Sequence, residues 1–88
     1  MTAPVSLAEA KLFLRVEHAA EDALIQTLID AARARIEGVV GLGLTSTSPA
    51  PLRLAILMLA LRAYERGDRE MPLASVEGWI APYRVVRL

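Results

Sequence analysis

The side chains able to carry out chemistry are few in kind. There is no cysteine and a single histidine, His18, so no Cys/His nucleophile pair can form. A zinc site built from this chain alone would also lack the usual ligands. Ser6, Ser46, Ser48 and Ser75 stand in no nucleophile motif such as G-x-S-x-G. Glu21–Asp22 is the nearest approach to a paired-carboxylate site. Two acids just ahead of an apolar-periodic run are better explained by the attraction of negative charge to a helix start. The G-x-G of Gly41–Gly43 lacks the third glycine, follows a helical run and opens none, so it is no dinucleotide fingerprint. His18 reads as a surface or helix-capping residue. The sequence points to no cofactor, no metal and no enzymatic activity.

What remains is pairing chemistry. Nine of the ten bases are arginine, whose planar fork of donors suits carboxylates at interfaces. Formal net charge is zero, but residues 1–48 hold four bases against six acids and residues 49–88 hold six against four. Neither half shows the basic stripe of a nucleic-acid binder. Arg35, Arg62 and Arg66 border apolar runs, and Asp30, Glu37 and Glu65 are acids that such arginines could meet on a second copy. These six are the candidate subunit-interface residues. Single surface pairs of this kind contribute only about 0–1 kcal/mol.

The elements that position them are helical. Ser6 and Glu9 form a capping box, S-x-x-E, and Leu7, Ala10 and Leu14 follow at i, i+3, i+7. A first helix is therefore expected at Ser6–Leu14. A second is expected at Glu21–Val40, where Leu24, Ile25, Leu28, Ile29, Ala32, Ile36 and Val39 share one face. Gly41 suits its C-terminal cap. "GLGLTSTSPAP" reads as a loop. A third helix is expected at Pro49–Arg66. It is apolar nearly all round from Leu54 to Leu61, and three short companions are too few to surround it well. The spacing of Leu73, Val76 and Ile80 predicts a short fourth helix at Pro72–Ala81, stopped by Pro82. A strand could form at Leu42–Thr45, but nothing else in the chain would pair with it, so the fold class is all-α: a small bundle of three core helices, a short C-terminal helix and an extended tail.

Residues 1–81 are read as one domain and 82–88 as a tail. Val85 and Val86 favour extended backbone, which can add to a partner's sheet edge. Tyr83, Arg84, Val85, Val86, Arg87 and Leu88 are the candidate docking residues there. Fifty-five per cent of the residues are hydrophobic and only 5% aromatic. A small domain with so much aliphatic surface and no disulfide is expected to oligomerise or dock. The first apolar stretch carries Glu9, Lys11 and Arg15, unlike a signal peptide. The Leu54–Leu61 run is far short of the roughly 20 residues needed to span a bilayer. A cytoplasmic product with no membrane partner is expected.

The stretch "VSLAEAKLFLRVEHAAEDALIQTLIDAARARIEGVVG", Val5–Gly41, resembles the opening of the head–tail connector (adaptor) proteins of tailed bacteriophages. Their pattern runs roughly V-S/T-L-x-E-A-K-x-x-L-R-V, then D/E-D-x-L-I-x-x-L-I-x-A-A-R. "LRLAILMLALRAYERGDRE" (Leu52–Glu70) and "MPLASVEGWIAPYR" (Met71–Arg84) resemble the family's later helices. Three departures are visible. Trp79–Ile80 replaces an aliphatic pair, Pro72 and Val76 are one residue further apart, and the loop after Gly41 is short. Short relatives also occur in phage-like gene transfer agents.

The resemblance implies a ring-shaped homo-oligomer, typically a dodecamer, beneath the portal protein. It would extend the DNA channel without sequence-specific binding and receive a tail or stopper protein. It places the chain in a phage or gene transfer agent particle, with host cytoplasm before assembly, and aims the C-terminal segment at the portal. Two other readings compete. A helix-turn-helix DNA-binding module would need a polar, basic recognition helix, where the third helix offers Leu, Ile and Met. A helical subunit of a heteromeric complex would need a neighbouring gene product as partner.

Overall fold

The computed structural model describes residues 3–67 and 71–83. Its first helix, α1 (Leu7–Leu14), starts as the capping box requires. The Ser6 hydroxyl accepts the Glu9 N–H at 3.1 Å, and the Glu9 carboxylate accepts the Ser6 N–H at 3.0 Å. Arg15 ends α1 in the left-handed conformation, φ 60°. That region strains any residue with a Cβ.

The second helix, α2 (Asp22–Val40), ends at Gly41, which takes φ 75° where a side chain would be strained. The third, α3 (Ala50–Arg66), follows Pro49 and has Pro51 in its first turn. A proline there loses no helical hydrogen bond. No strand occurs among the described residues.

The core lies chiefly between α2 and α3. Ile25, Leu28, Ile29, Ala32, Ile36 and Val40 meet Leu52, Ala55, Ile56, Leu59, Ala60 and Ala63, all buried. Val5, Ala10, Leu44, Met71, Val76 and Ile80 close its edges. Burying one such Leu or Ile contributes about 1.5–3 kcal/mol. The helical face expected for α2 is the one it buries, except that Leu24 at its margin stays 37% exposed.

The third helix is the best covered element, with Leu52, Ala55, Ile56, Leu59, Ala60 and Ala63 buried and Leu54, Leu57, Met58 and Leu61 half-buried. It sits at the centre, touching α1, α2 and the segment that returns after Gly67. The small side chains of Ala55, Ala60 and Ala63 allow close approach there. The fourth element is not one continuous helix. A 3-10 turn at Leu73–Val76 leads into a single α-turn, α4 (Glu77–Ile80), and a second 3-10 turn at Ala81–Tyr83. Gly78 weakens any longer helix. Pro82 does not stop the winding at Ala81, because one 3-10 turn has no use for its missing N–H.

Candidate assembly surfaces

Several charged side chains turn out to hold the bundle together from within. Glu37 is the clearest case. Its carboxylate accepts the Leu44 N–H at 2.7 Å and the Arg33 Nε–H at 3.1 Å. Arg33 also donates to the Leu44 carbonyl at 3.0 Å. An i, i+4 ion pair on α2 thus grips both backbone groups of Leu44 and drives its side chain into the core. The Leu44 N–H is the main cause of a Glu37 carboxyl held below its ordinary value, with Arg33 adding to it against the opposing effect of burial. The loop also bonds to itself. The Thr45 N–H donates to the Ser48 hydroxyl at 2.9 Å, and the Ser48 N–H returns to the Thr45 carbonyl at 3.0 Å.

Arg53 on α3 ties down the other end of the chain. It donates to the Pro4 carbonyl and to the Glu9 carboxylate, both at 3.0 Å. Glu9 therefore caps α1 and pairs with α3 at once. Its carboxyl lies below its ordinary value, chiefly through the Ser6 N–H, with the Ser6 hydroxyl and Arg53 contributing. The Glu21–Asp22 pair does more than begin a helix. Glu21 makes no side-chain cap but accepts the Tyr64 hydroxyl, and Asp22 pairs with Lys11 at 2.7 Å. The start of α2 is so bound to the ends of α1 and α3. Donating to a carboxylate raises the Tyr64 hydroxyl above its ordinary value.

The six candidate interface residues divide by their surroundings. Asp30 is exposed on α2 and accepts from Gln26 at 3.0 Å. Arg35 is exposed too, and its Nε donates across the bundle to the Met71 carbonyl at 3.3 Å. That contact steadies Met71, which is buried with φ 51°. Glu65 and Arg66 are exposed at the end of α3, and Arg62 is half-buried one turn earlier. Glu37 is committed to its own chain. Of the candidate tail, Tyr83 is half-buried against the core. Arg84, Val85, Val86, Arg87 and Leu88 lie outside the described residues.

Residue type alone could not show the roles of Arg33, Arg53 and Tyr64. Only the i, i+4 spacing of Arg33 and Glu37 was a readable signal. Apolar surface left uncovered by the chain is found at Leu12, Phe13, Leu24, Leu42 and Trp79. No described helix is long and apolar enough to cross a membrane. Among the described residues no group of three or more His, Cys, Asp or Glu side chains is placed to hold a metal ion.

Compared with protein families, the chain is matched over residues 4–78 by the model of the phage gp6-like head-tail connector proteins. The match takes in α1, α2, α3 and the turn leading into α4. Comparison with curated proteins finds no match, and comparison with solved structures finds none.

Proposed function

The chain belongs to the phage gp6-like head-tail connector family, and from that premise we propose that it is a structural subunit of a ring beneath the portal. The ring joins head to tail, extends the DNA channel and receives a tail or stopper protein. The family match over residues 4–78 carries this reading. A dodecamer is the ring size proposed, in a phage or a phage-like gene transfer agent, with subunits held in host cytoplasm before assembly. DNA passes through the channel without sequence-specific recognition. The role is mechanical, with no catalytic step and no cofactor.

The bundle supports this role as a rigid building block. Its helices share one apolar core, and its ends are cross-tied by Lys11–Asp22 and Arg53–Glu9. Side-to-side contacts are assigned to Arg35, Arg62 and Arg66 facing Asp30 and Glu65 of a neighbour, with Glu37 as the weaker candidate. Such pairs contribute little one at a time, so the portal serves as template for the ring. Residues 82–88 form the docking segment for the portal, Tyr83 anchoring it and Arg84 and Arg87 pairing with acids there.

Deleting the gene and adding back purified protein tests the role. The proposal requires filled or fillable heads separate from tails, with joining restored by the added chain. Deleting residues 85–88 tests the docking segment. The truncated protein should stay folded and be missing from heads. Normal joining without the chain would overturn the connector role, and normal incorporation of the truncated chain would overturn the docking segment.

A further inference from the structure

Leu12 is the most exposed large hydrophobic side chain among the described residues, at 80%. It stands on the outward face of α1, next in the chain to Phe13, which is also exposed. Beside it lies an open hollow of about 420 Å³, lined by Lys11, Leu12, Arg15, Val16 and Glu17. Lys11 is already paired with Asp22. Arg15 and Glu17 are both exposed, and neither side chain has an ion pair or hydrogen bond to another described residue. Arg15 also occupies a left-handed position that glycine would take without strain. A charged side chain is thus presented at the rim of an apolar hollow.

An apolar knob, a hollow beside it and two unpartnered opposite charges make this small patch complementary to itself. We propose that the C-terminal face of α1 is the surface through which two free copies of this chain pair about a two-fold axis. Leu12 of each copy enters the hollow of the other, and Arg15 of each meets Glu17 of the other. Two-fold contacts use one patch twice, so the single Arg15–Glu17 complementarity is made twice. The outward face of α2 offers Ala23, Thr27, Ala31 and Ala34, with Leu24 at its margin only 37% exposed against 80% for Leu12.

This pairing goes beyond the ring contacts and shares none of their residues. The patch is much smaller than the roughly 1,600 Å² of a standard stable interface, so the pair is weak and reversible. It covers Leu12 in the free protein and releases it for assembly.

Sedimentation equilibrium on the full chain, without portal and at low salt, tests the proposal. The wild type should show a monomer–dimer equilibrium. Arg15→Glu and Glu17→Arg should each weaken it by about tenfold, because each replaces two attractions by two repulsions. The double swap, Arg15→Glu with Glu17→Arg, should return to within about threefold of wild type. Leu12→Asp should abolish pairing while its circular-dichroism melt stays that of wild type. A wild type monomeric up to about 1 mM, a double swap no better than either single variant, or growth beyond dimers would overturn the proposal. A monomeric wild type or a failed double swap leaves the ring contacts untouched, whereas growth beyond dimers would also count against the portal as template.

Discussion

The two helices that flank the ends of this bundle's sequence logic, α3 and α1, treat apolar surface in opposite ways. α3 is the greasiest stretch of the chain, yet no residue from 51 to 64 is exposed. α1 is less than half as long, opens on a polar capping box, and turns Leu12 and Phe13 to solvent. Apolar content measures how much cover a helix needs. Position in the topology decides whether its own chain supplies it. A central helix keeps all its large apolar residues at least half covered, whereas a peripheral one leaves some of them to solvent. The large apolar side chains left exposed are therefore found at the periphery and not on the most hydrophobic segment.

Substitutions on the two helices should separate these cases, beginning with the largest effect. Leu59→Asp places an unpaired carboxylate where the side chain is fully buried. That cost should exceed about 4 kcal/mol and leave an unfolded or aggregated protein by circular dichroism. A folded, soluble Leu59→Asp variant would mean that α3 is not enclosed.

Next in size is the clamp that holds the loop onto α2. Glu37→Ala removes the acceptor for the Leu44 N–H and for Arg33, and should cost about 1–3 kcal/mol. The Leu44 amide should lose its protection from hydrogen exchange before the amides of α3 do. Equal protection in variant and wild type would show that the loop is held by burial of Leu44 alone.

Acid should act on the peripheral ties rather than on the apolar centre. Glu9 and Glu37 are both held below their ordinary value of 4.5 in the folded chain. A lowered folded value contributes stability that is present above the unfolded value and is lost as pH falls through the folded one. The urea midpoint should thus be flat near neutrality and drop below about pH 4.5. Glu37→Gln should make that drop shallower. An unchanged pH profile in Glu37→Gln would remove the clamp as its cause.

The smallest expected effect is the other half of the comparison. Leu12→Asp alters the most exposed apolar residue, so thermal stability should stay within about 0.5 kcal/mol of wild type. A large loss would show that α1 packs more deeply than it does here.

Local signals made much of this fold legible. The capping box at Ser6 and Glu9, the apolar period of α2 and Gly41 at its end each rest on residues a few positions apart. The enclosure of α3 was not legible, because it depends on a segment beyond Gly67 folding back across it. Nor was the Tyr64–Glu21 bond, whose partners lie 43 residues apart. The short fourth helix was legible, but not its division into α4 and two 3-10 turns, because Pro72, Gly78 and Pro82 each tolerate a 3-10 turn as readily as a helix end. Among the assembly residues, the arginines were legible as a class. Which of them serve the chain itself, as Arg33 and Arg53 do, was decided by carbonyls and carboxylates that sequence does not place. The exposure of Leu12 follows from its place outside the Leu7, Ala10 and Leu14 stripe.

Electron microscopy of purified particles tests the central proposal most directly. Averaged images of the head–tail junction, compared between wild type and a strain lacking the gene, should show a ring of small helical subunits directly beneath the portal. The bundle of α1, α2 and α3 should fit its density as a rigid unit, and the ring should be absent in the deletion strain. A junction with an unchanged ring in that strain, or a wild-type ring into which the three-helix bundle cannot be fitted, would contradict it.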